Sequence, residues 1–117
     1  MSKLSPTDNL FQALTYLADT IDARAEGQTN DQPSYTAKLL AAGPSKCAKK
    51  FGEEAVETVI ALTSETNADV ANETADLLYH LFVALRSRGV SLEDVGHALA
   101  KRQGMSGIIE KENRPKD

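Results

Sequence analysis

A chain of 117 residues, 41% hydrophobic and 26% charged, suits one globular domain spanning 1–117 and not a disordered segment. Net charge is −4 with no Lys/Arg stripe clear of acids, which argues against a general nucleic-acid binder, and the single cysteine, Cys47, excludes an intrachain disulfide. Met1-Ser2-Lys3-Leu4-Ser5-Pro6 lacks the apolar run of a signal peptide and no stretch approaches a membrane span, so a soluble cytoplasmic protein without membrane partners is expected.

The first helix is predicted to begin after Ser5, with Pro6 at its first position and Asp8 completing a capping-box-like pattern. Leu10, Phe11, Leu14, Leu17, Ala18 and Ile21 follow a helical period that stops near Arg24. Residues 26–33 are polar and rich in breakers, and read as a loop. A short helix capped by Ser34 runs from Tyr35 to Ala42, and Gly43-Pro44 ends it and starts the third helix, predicted to reach about Ser64.

In that third helix Phe51, Ala55, Val56, Val59, Ile60 and Leu62 form one broad apolar side. Glu53, Glu54 and Glu57 fan over the other, with Lys46 and Lys50 on the same polar arc. A turn at Glu65-Thr66-Asn67 leads to a fourth helix from about Ala68 to Arg88, stopped by Gly89. Its Leu77, Leu78, Leu81, Phe82, Val83 and Leu85 wrap more than half the circumference, which predicts the most buried helix. The fifth helix starts with Ser91-Leu92-Glu93-Asp94, carries a narrow stripe of Leu92, Val95 and Leu99, and is expected to end at Gly104. Residues 105–117 form a polar tail apart from Met105, Ile108 and Ile109. There is no strand-like alternation. The predicted class is all-α, an antiparallel hairpin of the third and fourth helices with the others packed round it.

The chemistry lies in two acidic pairs. Glu54 and Glu57, and Glu73 and Asp76, each stand three residues apart, on one side of their helices. Antiparallel packing brings the four carboxylates toward one point, where they stay ionised only with a compensating cation. A hard divalent ion such as Mg2+ takes oxygen ligands and reaches a protein in company with phosphates. The bland reading is a solvated surface, with Lys49 bridging to Glu53 and Lys50 to Glu54. Against it, Glu73 and Asp76 flank the most apolar surface of the chain, and only His80 follows Asp76 at helix-pair spacing. Lys46 and Lys50 either hold phosphates or pair with the glutamates. His80 reads as a histidine steadying Asp76, His97 as exposed, and Cys47 as a packing residue.

Glu54-x-x-Glu57, fifteen intervening residues and Glu73-x-x-Asp76 resemble the signature of the MazG-like all-α nucleotide pyrophosphohydrolases. Ser34-Tyr35-Thr36-Ala37-Lys38-Leu39-Leu40, Gly43-Pro44-Ser45-Lys46, Gly52-Glu53-Glu54, Ala75-Asp76-Leu77-Leu78-Tyr79-His80, the Gly89 to Val95 segment, and Arg102 with Ser106-Gly107 bring the resemblance closer to the phosphoribosyl-ATP pyrophosphohydrolases of histidine biosynthesis. The resemblance covers nearly the whole chain. It implies hydrolysis of phosphoribosyl-ATP to phosphoribosyl-AMP and pyrophosphate, with Mg2+, in a homodimer that completes a four-helix bundle. It implies Glu54, Glu57, Glu73 and Asp76 as metal ligands, with Glu53 standing nearby either to support those ligands or to activate the water. Lys46 and Lys50 are then candidates for the phosphates being cut, and Arg102, Lys111 and Arg114 for the second ribose-phosphate. Two alternatives stand beside this reading: a housekeeping (d)NTP pyrophosphohydrolase using the same acids, and a non-catalytic helical dimerisation module.

Overall fold

The computed structural model of the chain describes residues 4–27 and 34–103. The calls on Gly104, on the 105–117 tail, and on Lys111 and Arg114 lie outside the described residues.

Four of the five described helices begin where a short polar side chain accepts from a free backbone N–H. The Ser5 hydroxyl accepts from Asp8 N at 3.0 Å, and α1 (Pro6–Ala25) follows with Pro6 in its first turn. Ser34 accepts from Ala37 N at 3.1 Å and opens α2 (Tyr35–Ala42). Gly43, at φ 95°, ends α2 and launches α3 (Pro44–Ser64), a backbone state that a side chain would strain. Thr66 and Asp69 form a reciprocal capping box for α4 (Asn67–Arg88), which starts one residue before the expected Ala68. At its end Gly89 adopts the left-handed conformation (φ 80°), and Val90 N donates back to Leu85 O at 3.0 Å. Ser91 accepts from Asp94 N and starts α5 (Leu92–Lys101), which stops before Gly104 is reached.

Among the described residues there is no strand, so the all-α expectation holds. The most extensive packing joins α3 to α4, the predicted hairpin, and α1 and α2 lie against it. Ile21, Leu39, Cys47 and Val83 are buried together, one from each of α1 to α4, with Leu17, Leu40, Tyr79, Phe82 and Ala84 round them. Cys47 is the expected packing residue, its thiol against Leu39 O at 3.2 Å. No described helix is long and apolar enough to cross a membrane.

The orientation of α3 differs from the simplest reading of its pattern. Its buried residues are Cys47, Thr58 and Ala61, a stripe of small side chains at spacings of eleven and three that passes through half-buried Glu54. The aliphatic residues Val56, Val59, Ile60 and Leu62 face outward, 47–65% exposed. α4 carries only His80 and Val83 fully buried, with Leu77, Leu78, Leu81, Phe82 and Leu85 half-buried. Small residues let the two helices approach, and that approach turns the acids of α3 toward α4. α5 makes no comparable packing against the other helices.

Candidate metal and phosphate site

The hairpin positions the acids. Thr58, 7% exposed, donates its hydroxyl to Glu54 O at 2.8 Å within α3 and lies 3.3 Å from Glu73 O on α4. It thereby joins the two helices at the level of the two acidic motifs. Around it Glu54, Glu57 and Glu73 bring carboxylate oxygens within 4.8 Å of one another. Asp76 stands outside that triplet but close enough for its charge to act on both Glu54 and Glu73.

The electrostatics are those of uncompensated negative charge. Desolvation is the largest cause pushing the Glu54 carboxyl above its ordinary range, followed by Glu57, which is in hydrogen-bonding reach, then Asp76 and Glu73. Glu73 is raised in the same way, first by desolvation, then by Glu57 and Asp76. One oxygen of each, Oε2 of Glu54 and Oε2 of Glu73, is buried without a hydrogen-bond partner. Buried acceptors left so are costly. Converging acceptor oxygens with no donor of their own are the donor set a hard divalent cation takes, so the residues fit such an ion.

The remaining candidates arrange themselves round this triplet. Lys50 pairs with Glu53 at 3.4 Å, three residues on, and not with Glu54 as helix spacing also allowed. This leaves Glu54 turned to α4 and Glu53 at the exposed rim. Lys46 is exposed one turn earlier. His80 is buried, with Nε2 3.8 Å from Glu54 Oε1. It therefore lies against Glu54 across the hairpin, while the Asp76 that it was expected to steady acts on it only through charge. Burial lowers the imidazole below its usual range against the pull of Asp76, so it is neutral at neutral pH. Arg102 caps the end of α5 and is exposed. His97 is exposed, as expected, 3.9 Å from Glu93.

Sequence reasoning did not single out Thr58, nor the aromatic set beside His80. Tyr79 stands edge-on to His80 with centroids 4.9 Å apart, and shares a hydrogen bond with the Thr36 hydroxyl. Burial pushes the Tyr79 phenol up. The signal for Thr58 was its place four residues after Glu54, on the helix row that also holds Cys47 and Ala61.

A tight helical hairpin with a desolvated carboxylate cluster at its crossing defines an all-α protein with a candidate cation site. Comparison with known proteins makes this particular. Residues 14–103 match the phosphoribosyl-ATP pyrophosphohydrolase family, and the chain belongs to it. Phosphoribosyl-ATP pyrophosphatase 1 of Rhodopseudomonas palustris is 54% identical over 101 residues, 86% of this chain and 92% of that protein. Phosphoribosyl-ATP pyrophosphatase 1 of Bradyrhizobium diazoefficiens is 56% identical over 98 residues, 84% of this chain and 91% of that protein. The phosphoribosyl-ATP pyrophosphatase of Ruegeria pomeroyi is 55% identical over 100 residues, 86% of this chain and 93% of that protein.

Proposed function

We propose that this protein hydrolyses the α–β phosphoanhydride of phosphoribosyl-ATP, giving phosphoribosyl-AMP and pyrophosphate in histidine biosynthesis, and that it needs Mg2+ to do so. The observation that carries the reading is the Glu54, Glu57 and Glu73 triplet with its two unpartnered buried oxygens, in a chain that is 54–55% identical over 100–101 residues to proteins named for this activity. Glu54, Glu57 and Glu73 would hold the cation, with Asp76 completing the set. When bound, the ion supplies Lewis acidity and charge neutralisation at the anhydride.

The protein's own groups do the rest. Splitting a phosphoanhydride calls for alignment and charge stabilisation more than covalent help. Glu53, held by Lys50 at the rim, is the carboxylate left to orient the attacking water and take its proton. Lys46 and Lys50 would meet the phosphates, whose charge the acidic chain otherwise repels. Neutral His80 would keep Glu54 in place without cancelling its charge. Arg102, with Lys111 and Arg114 of the tail, would serve the second ribose-phosphate, where a planar guanidinium suits a phosphate.

We further propose a homodimer, supported by the exposed aliphatic face of α3. The deciding experiment for the activity is turnover of phosphoribosyl-ATP beside a panel of dNTPs, with and without Mg2+. The expected result is release of pyrophosphate from phosphoribosyl-ATP in preference to every dNTP, abolished by chelation. Preference for a dNTP would make this a housekeeping nucleotide hydrolase, and absence of all turnover a non-catalytic module.

A further inference from the structure

Tyr35, the first helical residue of α2, is 53% exposed yet held in place. Its ring lies nearly parallel to that of Tyr79, with centroids 6.5 Å apart and planes at 18°, and meets His80 edge-on at 6.2 Å. Tyr79 is itself fixed against His80 and by the Thr36 hydroxyl. His80 in turn touches Glu54 at 3.8 Å. The result is an aromatic ring braced from within, open outward, and two contacts from the carboxylate cluster.

We propose that Tyr35 is the platform on which the purine of the substrate stacks, and that it sets the preference for an N1-alkylated purine over an ordinary one. This rests on the phosphoribosyl-ATP reading above. In that substrate the second ribose sits on N1, so the hydrogen-bonding edge of the base is blocked and its two faces are what remains for recognition. Alkylation at N1 also leaves the ring system cationic near neutral pH. A cationic ring over the electron-rich face of a tyrosine gains electrostatic attraction on top of stacking. The purine of ATP or of a dNTP is neutral and gains only the stacking. The net negative charge of the cluster that His80 adjoins works in the same direction.

The test uses the full chain with Mg2+ and phosphoribosyl-ATP, and three inhibitors: AMP, 1-methyl-AMP and pyrophosphate. Tyr35→Leu keeps an apolar side chain but removes the ring, and Tyr35→Phe keeps the ring. Tyr35→Leu is expected to raise KM about tenfold, within what one base–aromatic stack supplies, with kcat changed by less than about twofold. Wild type is expected to bind 1-methyl-AMP several-fold more tightly than AMP. Tyr35→Leu should bring that ratio near one without altering inhibition by pyrophosphate, and Tyr35→Phe should retain most of it. An unchanged KM or an unchanged 1-methyl-AMP preference in Tyr35→Leu overturns the proposal. So does a matching loss of pyrophosphate inhibition, which would make Tyr35 a prop for the carboxylates. If wild type fails to turn over phosphoribosyl-ATP at all, the functional reading falls and this one with it. If wild type is active and Tyr35→Leu is indistinguishable from it, only this one falls.

Discussion

Glu54 and Glu73 carry the cost of the site in their protonation behaviour. In the cation-free protein both carboxyls hold a proton more tightly than they do in the unfolded chain, because burial disfavours the charged form and Glu57 repels it. Between the ordinary carboxylate value of 4.5 and the raised folded value, the native state binds more protons than the unfolded state. Stability therefore falls as pH rises through that window. His80 acts with the opposite slope, since its lowered folded pKa makes the native state lose stability as pH falls below 6.5. Comparing variants isolates the carboxylates. Without divalent ions, Glu54→Gln and Glu73→Gln should melt above wild type, by a margin that grows as pH rises from 4.5 toward neutrality and that Mg2+ erases or reverses. The same substitutions, with Glu57→Gln and Asp76→Asn, should each lower kcat/KM by about a hundredfold or more, on the order of 2.7 kcal/mol of transition-state binding. Near wild-type turnover in two of the four would remove the metal assignment, and a melting margin flat with pH would remove the account of the raised carboxyls. That Glu54, Glu57 and Glu73 meet across the hairpin was legible from spacing, while Asp76, expected to join them, stands outside their triplet. The pairing of His80 with Glu54 was not legible, because spacing along one helix points to Asp76 and says nothing of what the facing helix offers.

At the scale of the helix, the hairpin works because α3 offers α4 a stripe of small residues. The helix ends were legible for a physical reason: Ser5, Ser34, Thr66 and Ser91 each sit where an N–H needs an acceptor, and Gly89 where the backbone turns left-handed. Which side of α3 faces inward was not. Hydrophobic periodicity marks a face that avoids water without saying what covers it, so the broad apolar side with Val56, Val59, Ile60 and Leu62 was legible, but not that Cys47, Thr58 and Ala61 are the residues buried within the chain. Thr58 has the most to do at this crossing. Thr58→Val keeps the volume and deletes the hydroxyl near Glu73 O, a loss of about 1 kcal/mol, or roughly 4–8 °C in Tm for a domain near this size. Far-UV circular dichroism should be unchanged, because neither helix depends on this bond to form. The Mg2+ needed for half-maximal activity should rise, since the bond sets how closely the two acidic motifs approach, and Thr58→Ser should fall between Thr58→Val and wild type in that respect. A Thr58→Val protein with the Mg2+ response of wild type would show that packing alone fixes the hairpin.

At the scale of the whole molecule the outward aliphatic face of α3 governs assembly in the proposed homodimer. Val56, Val59, Ile60 and Leu62 on α3 and Leu10 and Phe11 on α1 are all large, apolar and 47–65% exposed. Aliphatic side chains gathered along one helix face, in a chain whose other surfaces are rich in charge, mark a site of association. A self-complementary face on a single helix is what a two-fold dimer uses, each α3 packing on its partner's, and the pair of hairpins then makes four helices in one bundle. The triplet of Glu54, Glu57 and Glu73 comes from α3 and α4 of one chain, so each protomer brings its own carboxylates to such a dimer. The protein should therefore sediment as a dimer at micromolar concentration, and its Tm should rise with protein concentration, because the dimer binds away the folded monomer. Val59→Asp puts a charge at the centre of that face, where burial without a partner is costly. It should shift the protein to monomer and remove the concentration dependence of Tm, whereas Glu93→Gln, on the exposed side of α5, should leave both unchanged. A wild-type protein that remains a stable, active monomer at micromolar concentration would show that the α3 face has another occupant.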